Sequence, residues 1–280
     1  MAGSFSQNFM SLFPPTAEDL AVVIGLKEGR SPSGKAWADK AQRAECLRQW
    51  ITGLRHEDFP VPVFKAIFSE FAAKYLSTVV VRFINSRDPF PAGEFNILLS
   101  IREVPHFSRY LRSKHRTAAP GKQLGRIIAE RFANALKMHK RRNIVPLPHD
   151  YLAQMESLSE IFRFHSMHQE PIPIDARNTI LDFLRARDCQ SVANPLTKET
   201  IRLLSLILQD NPYLEDLPKE VANRLKCRDV CGLPGCDIST NLKTCARCKM
   251  ICYCCPGHQR VHWSSKSSYP HRLSCFPTKY

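Results

Sequence analysis

Long apolar runs are missing from this 280-residue chain. The strongest, Val79-Val80-Val81, is cut off at once by Arg82, far short of the ~20 apolar residues a membrane helix needs. No membrane partner is therefore expected. The opening residues, Met1 to Gln7, hold no basic stretch leading into an apolar one, so the secretory route is not indicated. Alternation of apolar and polar residues, the mark of half-buried strands, is nearly absent. Cysteine is scarce too over most of the length: only Cys46 and Cys189 fall in the first 226 residues. Also missing are a G-x-x-x-x-G-K-[ST] phosphate loop, a G-x-S-x-G elbow and an H-E-x-x-H pair. Gly121 to Gly125 reads as a helix start, and His149-Asp150 and His165/His168 as solvated polar positions. The expectation is a protein that is not an enzyme and that resides inside the cell, in nucleus or cytoplasm.

What is present is enough to fold. Hydrophobic residues make up 44% and charged residues 24%, a balance that excludes wholesale disorder. After a flexible stretch at 1–15, residues 16–226 read as a succession of helices. Thr16 with Asp19 resembles an N-cap, and Gly29 stands at a plausible C-terminal position. From Ser33 to Gly53, Trp37, Ala41, Ala44, Leu47, Trp50 and Ile51 follow a helical pattern. The clearest case spans Pro62 to Ile84, where Phe64, Ile67, Phe68, Phe71, Ala72, Tyr75, Leu76, Val79, Val80 and Phe83 form one apolar stripe. Further helices are expected near 93–103, 105–114, 121–140, 149–167, 175–188, 196–210 and 213–226. Prolines fall between these patterns rather than inside them. The class is an all-α body, either an irregular helical array or an armadillo-like one; no fixed repeat period is visible.

Charge is uneven. The chain carries a formal +14, of which residues 101–142 hold +10 and residues 227–280 hold +6, leaving −2 elsewhere. The first block comprises Arg102, Arg109, Arg112, Lys114, Arg116, Lys122, Arg126, Arg131, Lys137, Lys140, Arg141 and Arg142. Such a block could neutralise phosphates, so nucleic acid is one partner to weigh. The alternative is a solvated helix face whose basic last turn, Lys137 to Arg142, suits the helix dipole.

The remaining nine cysteines crowd into residues 227–280. Together with His258, His262 and His271 they read as metal ligands rather than disulfides. Zn²⁺ takes four tetrahedral nitrogen or sulfur ligands, and eight ligands make two closed sites. Cys245-x-x-Cys248 can aim two thiolates at one ion, and His271-x-x-x-Cys275 spans one helical turn. The order Cys231/Cys236, Cys245/Cys248, Tyr253-Cys254, His258-Gln259, Trp263 and His271/Cys275 resembles the MYND-type zinc finger. Its opening, Cys-Gly-Leu-Pro-Gly-Cys, is similar to a variant common in fungal members. The resemblance covers residues 231–275, a sixth of the chain.

That resemblance implies a finger at 227–280 with interleaved ligands and two structural Zn²⁺. One site would be Cys231, Cys236, Cys254 and His258, the other Cys245, Cys248, His271 and Cys275. Two departures stand out: His258 occupies a position where the family usually has Cys, and seven residues, Ser264 to Pro270, lie where it usually has two. Cys227, Cys252, Cys255 and His262 are left over, and any of them could replace an assigned ligand. So small a segment, poor in large apolar residues, cannot fold by burial alone; a structural zinc supplies on the order of 10 kcal/mol. Metal removal is expected to unfold 227–280 and to spare the helical body. The family's finger binds proline-containing peptides on partner proteins, which implies peptide contacts at Gln259 and Trp263; the alternative is that Trp263 packs the finger's own core. One branch of the family is built into a lysine methyltransferase, but the Asn-His-Ser-Cys type of motif of that domain is absent. The expected function is zinc-dependent protein–protein interaction.

Overall fold

In the computed structural model the described residues are 14–31, 37, 39–55, 61–102, 104–165, 168–192, 194–209, 230–265 and 270–280. The helix expected at 213–226, Cys227 and most of the 1–15 stretch lie outside them. The described part before the finger is helical, as expected. Its helices range from four residues to 25 and follow no repeating pair.

The chain folds into two compact units. The first gathers residues up to Asn85, Pro91–Tyr110 and Glu220–Tyr280; the second gathers Ser86–Phe90 and Leu111–Lys219. The finger is therefore grouped with the N-terminal helices, so chain order and spatial grouping differ from a serial split at 226.

In the first unit, α1 (Ala17–Val23) opens on a capping box. The Asp19 amide donates to Thr16 Oγ1 at 3.1 Å, and the Thr16 amide donates to Asp19 Oδ2 at 2.8 Å. The helix stops earlier than the Gly29 expectation. Gly25 takes φ +71, the Leu26 amide reaches Ala21 O at 2.8 Å and the Gly25 amide reaches Val22 O at 2.9 Å. This double bond to the last turn needs a left-handed residue right after the cap, which glycine supplies. Next come α2 (Lys40–Arg55), α3 (Val61–Asn85), α4 (Ala92–Ile101) and α5 (Pro105–Arg112), whose last two residues are grouped with the second unit. The stripe of α3 is buried as patterned: Phe68, Phe71, Ala72, Leu76, Val79, Val80 and Phe83 are fully enclosed. Helices α1 and α4 pack on α3, and Phe83 stacks on Phe95 of α4 at 5.9 Å. At the rim, Glu18 accepts from Lys27, from Tyr75 Oη at 2.6 Å and from Lys74 at 3.0 Å. These donors, Lys27 foremost, hold its carboxyl down to about 2.

The second unit contains α6 (Leu124–Arg141), α7 (Leu152–His165), α8 (Ile174–Arg185), α9 (Arg187–Gln190) and α10 (Pro195–Leu208). Helix α6 buries Leu124, Ile128, Phe132 and Leu136 at helical spacing against α7 and α8. A Cβ at Gly125 would meet the Phe162 ring at 2.4 Å, so this position must stay small for α7 to approach. Phe132, Tyr151 and Phe183 form an aromatic cluster with centroids 5.1 to 5.9 Å apart.

Among the described residues, no helix is long and apolar enough to cross a membrane.

Candidate metal centre

The finger is built from short pieces around two side-chain quartets. Its only regular framework among the described residues is a two-stranded antiparallel ribbon, β1 (Lys243–Thr244) and β2 (Cys252–Tyr253), followed by α11 (Pro256–Ser264) and a 3₁₀ turn at His271–Leu273. The loop between Cys231 and Cys236 turns at Gly235, φ +80. It is pinned to the ribbon by the Gly232 amide, which donates to Cys252 O at 2.8 Å. A Cβ at Gly232 would collide with Ile251 Cγ2 at 2.0 Å. The Cys245–Cys248 segment is a knuckle: Lys249 takes φ +57, its amide reaches Cys245 O at 2.9 Å, and the Met250 amide donates to Cys248 Sγ at 3.3 Å. Cys254 leaves β2 just before α11, and His258 follows in the first turn of that helix.

These pieces bring together Cys231, Cys236, Cys254 and His258 in one quartet and Cys245, Cys248, His271 and Cys275 in the other. Within each, the potential ligand atoms all lie within 4.8 Å of one another. The first and third pairs share one quartet and the second and fourth pairs the other, an interleaved order. The separations test whether a tetrahedral ion fits. With metal–sulfur bonds of about 2.3 Å and metal–nitrogen bonds of about 2.0 Å, a tetrahedron has S···S edges near ~3.8 Å and N···S edges near ~3.5 Å. Cys236 Sγ and Cys254 Sγ are 3.9 Å apart, Cys245 Sγ and Cys275 Sγ 3.8 Å. His258 Nδ1 lies 3.5 Å from Cys231 Sγ and 3.2 Å from Cys254 Sγ. His271 Nε2 lies 3.4 Å from Cys248 Sγ. The donor sets fit such an ion. The histidines present different nitrogens, Nδ1 in the first quartet and Nε2 in the second.

Electrostatics point the same way. Burial opposes ionisation of Cys231, but hydrogen bonding by the Cys254 and Leu233 backbone and by His258 and Cys236 brings its thiol down to about 7. Burial, together with the neighbouring sulfurs, pushes Cys254 up to about 12. In the second quartet Cys245 is lowered and Cys275 raised, the latter mainly by burial and by the charges of Cys248 and Cys245. Three thiolates this close repel one another, and a bound dication is what lets all of them ionise together. Burial, reinforced by His262, lowers His271 to about 4, leaving it neutral as ligation requires. The second quartet is wholly buried, whereas in the first only Cys231 is.

The leftover residues that are described, Cys252, Cys255 and His262, have other partners. Cys252 Sγ faces Thr244 Oγ1 across the ribbon at 3.4 Å. Cys255 caps α11, its Sγ accepting from the His258 amide at 3.4 Å. His262 is buried with Nδ1 3.0 Å from Tyr253 Oη. Of the two residues expected to touch peptide, Trp263 sets its ring edge-on to His271 at 5.9 Å and stays 36% exposed. Gln259 directs its amide nitrogen at Cys245 Sγ, 3.8 Å away.

The finger is also fastened to helices of its own unit, through residues that sequence reasoning did not connect. Arg109 of α5 donates through Nε to the Tyr280 backbone oxygen at 2.8 Å and through Nη1 to Lys249 O at 3.2 Å. Tyr280 is buried, packs edge-on to Tyr110 at 5.0 Å and donates its hydroxyl to Ala72 O at 2.9 Å. His106, also buried on α5, is held by that burial down to about 4, against the opposing pull of the Phe276 backbone.

The basic block 102–142 is divided. Arg102 and Arg109 belong to the first unit, and the others to the second. Arg126 is paired with Glu130 and Glu170, Arg131 donates to Ser86 O and Pro89 O, and Lys137 pairs with Asp175. Lys114, Arg116, Lys122, Lys140, Arg141 and Arg142 are exposed.

No protein-family model matches the chain, and comparison with curated proteins and with solved structures gives no match either.

Proposed function

We propose that residues 231–275 form a MYND-type finger holding two structural Zn²⁺ ions, and that the finger serves protein–protein interaction. The observation that carries this reading is the pair of interleaved quartets, each with three sulfurs and one imidazole nitrogen at the edge lengths of a tetrahedron around zinc. Thiolate-rich sets favour Zn²⁺ over Mg²⁺ or Ca²⁺. With four protein ligands each, the sites are closed and their role is to fold the segment. Bound zinc would neutralise the thiolates and cross-link the ribbon, the knuckle, α11 and the 3₁₀ turn.

The surface that would meet a partner centres on Trp263, 36% exposed, which shares a side of α11 with Gln259 four residues before it. Arg260 and Arg272 are exposed nearby in the chain. A proline-containing peptide would lie against Trp263, and the Gln259 carbonyl would accept from its backbone. Two experiments test the two parts. Metal analysis of the full chain should give two zinc ions per molecule; none would end the reading. Titration with a Pro-x-Leu-x-Pro peptide should shift amide resonances of α11, and Trp263→Ala should abolish that shift while both ions remain. Unperturbed α11 resonances at saturating peptide would remove the peptide role.

A further inference from the structure

A surface in the second unit, remote in sequence from the finger and independent of its metal, combines exposed apolar side chains with cations that make no ion pair among the described residues. Helix α6 ends in the same device as α1 but without glycine. Asn143 takes φ +53, its amide reaches Lys140 O at 3.2 Å, and the Ile144 amide reaches His139 O at 3.0 Å. In such a cap the residue after the left-handed position usually packs back on the helix. Here Ile144 is 49% exposed. The loop that follows is held in place rather than loose. The Leu147 amide donates to Asp150 Oδ2 at 3.2 Å, and Tyr151 Oη lies 3.0 Å from His139 Nδ1, returning the chain to the last turns of α6. The Lys137–Asp175 ion pair brings the start of α8, with Ile174, to the same end of α6.

Met138, Ile144, Val145, Leu147 and Ile174, 47% to 75% exposed, all belong to the segments that these contacts bring to this end of α6. Single exposed apolar residues are ordinary on a protein surface; several at one end of one unit are not. Met138, Arg141 and Arg142 stand at i, i+3 and i+4, so they share a side of the helix. Lys140, Arg141 and Arg142 are exposed and make no ion pair among the described residues. The acids nearby are engaged: Asp175 with Lys137, Asp150 with the Leu147 amide and with His149. The helix dipole accounts for cations in a last turn, but it gives no reason for the apolar side chains among them.

We propose that the end of α6, the 143–147 loop and Ile174 form a docking surface for an acidic, leucine-rich segment of a partner protein. Carboxylates of the segment pair with Arg141 and Arg142, and its apolar side chains cover Val145 and Ile174. Complementary charge steers the encounter, and the pinned loop lowers the ordering cost of binding. Nucleic acid would satisfy the cations but leave the apolar residues uncovered.

The test uses the full chain and three labelled probes in fluorescence anisotropy: a synthetic peptide of Glu and Leu in alternating pairs, the same peptide with every Leu replaced by Ser, and a single-stranded oligonucleotide. The Glu/Leu peptide should bind. Two surface variants, Val145→Asp with Ile174→Asp and Arg141→Glu with Arg142→Glu, should each weaken it by about tenfold or more, with unchanged circular dichroism. The Ser-containing peptide should bind at least about tenfold more weakly than its parent. Equal binding of the two peptides would overturn the proposal by showing charge alone at work. Tighter binding of the oligonucleotide, lost with Arg141→Glu and Arg142→Glu but kept with Val145→Asp and Ile174→Asp, would overturn it in favour of nucleic acid. Absence of Glu/Leu peptide binding would also overturn it.

Discussion

In the second unit the residues that α6 buries, from Leu124 through Ile128 and Phe132 to Leu136, are all apolar. In the finger of the first unit the buried positions include Cys231, Cys245, Cys248, Cys252, His262, His271, Ser274 and Cys275, with Met250, Tyr253 and Tyr280 the large side chains among them. Burial of hydrocarbon is non-directional and acts without a cofactor, whereas clustered thiolates repel until a cation joins them. One region therefore holds itself, and the other, if it carries the two ions proposed above, would depend on them. Because Arg109, Tyr110 and Tyr280 tie the finger to α3 and α5, that dependence should reach the N-terminal helices but not α6 to α10.

The largest test of this contrast is metal removal. A strong chelator should expose the finger amides of Gly232, Cys245 and Met250 to rapid hydrogen exchange, a loss on the order of 10 kcal/mol per site. Amides of α6 and α8 should keep their protection. Equal loss in both units, or no loss in either, would break the comparison. The converse perturbation comes next. Phe132→Ala leaves a cavity under Tyr151 and Phe183 and should cost the second unit about 3–5 kcal/mol in chemical denaturation, while the metal content stays the same.

A smaller effect is expected at the fastening. Tyr280→Phe removes the hydroxyl bond to Ala72 O and should cost about 1 kcal/mol. Faster exchange should appear in α3 near Ala72, with both ions retained. An unchanged exchange pattern there would separate the finger from the helices. The smallest effect concerns Glu18. Its carboxyl is held at about 2, below its unfolded value, so its contribution is present above the ordinary carboxylate range and is lost as pH falls toward 2. The group is 41% exposed, so solvent screening should keep the effect below about 1 kcal/mol. Glu18→Gln should destabilise the protein slightly at neutral pH and not at all in strong acid; the same penalty at both would contradict the assignment.

Local patterning explains what could be read from the chain. The α3 stripe and the cap at Thr16 depend on residues three or four apart, and the structure follows them. The pairs Cys245/Cys248 and His271/Cys275 were legible from spacing of the same local kind, whereas the interleaving into quartets was implied by the resemblance to the MYND-type finger. Three features were not legible. The end of α1 falls at Gly25 and not Gly29, because the choice depends on which glycine can adopt positive φ while Arg43 closes over it, 2.8 Å from a hypothetical Cβ. The roles of Cys252, Cys255 and His262 follow from the side of β2 and α11 on which each falls. The Arg109–Tyr280 bond spans 171 positions, and no local spacing encodes a contact of that separation.

Two ions in interleaved quartets would leave a distinct signature in cadmium NMR of the cadmium-loaded full chain. Two resonances are predicted, each from three sulfurs and one nitrogen. Cys231→Ser and Cys254→Ser should perturb the same one, and Cys245→Ser and Cys275→Ser the other. A single resonance, or perturbation of one shared signal by Cys231→Ser and Cys245→Ser, would contradict the account.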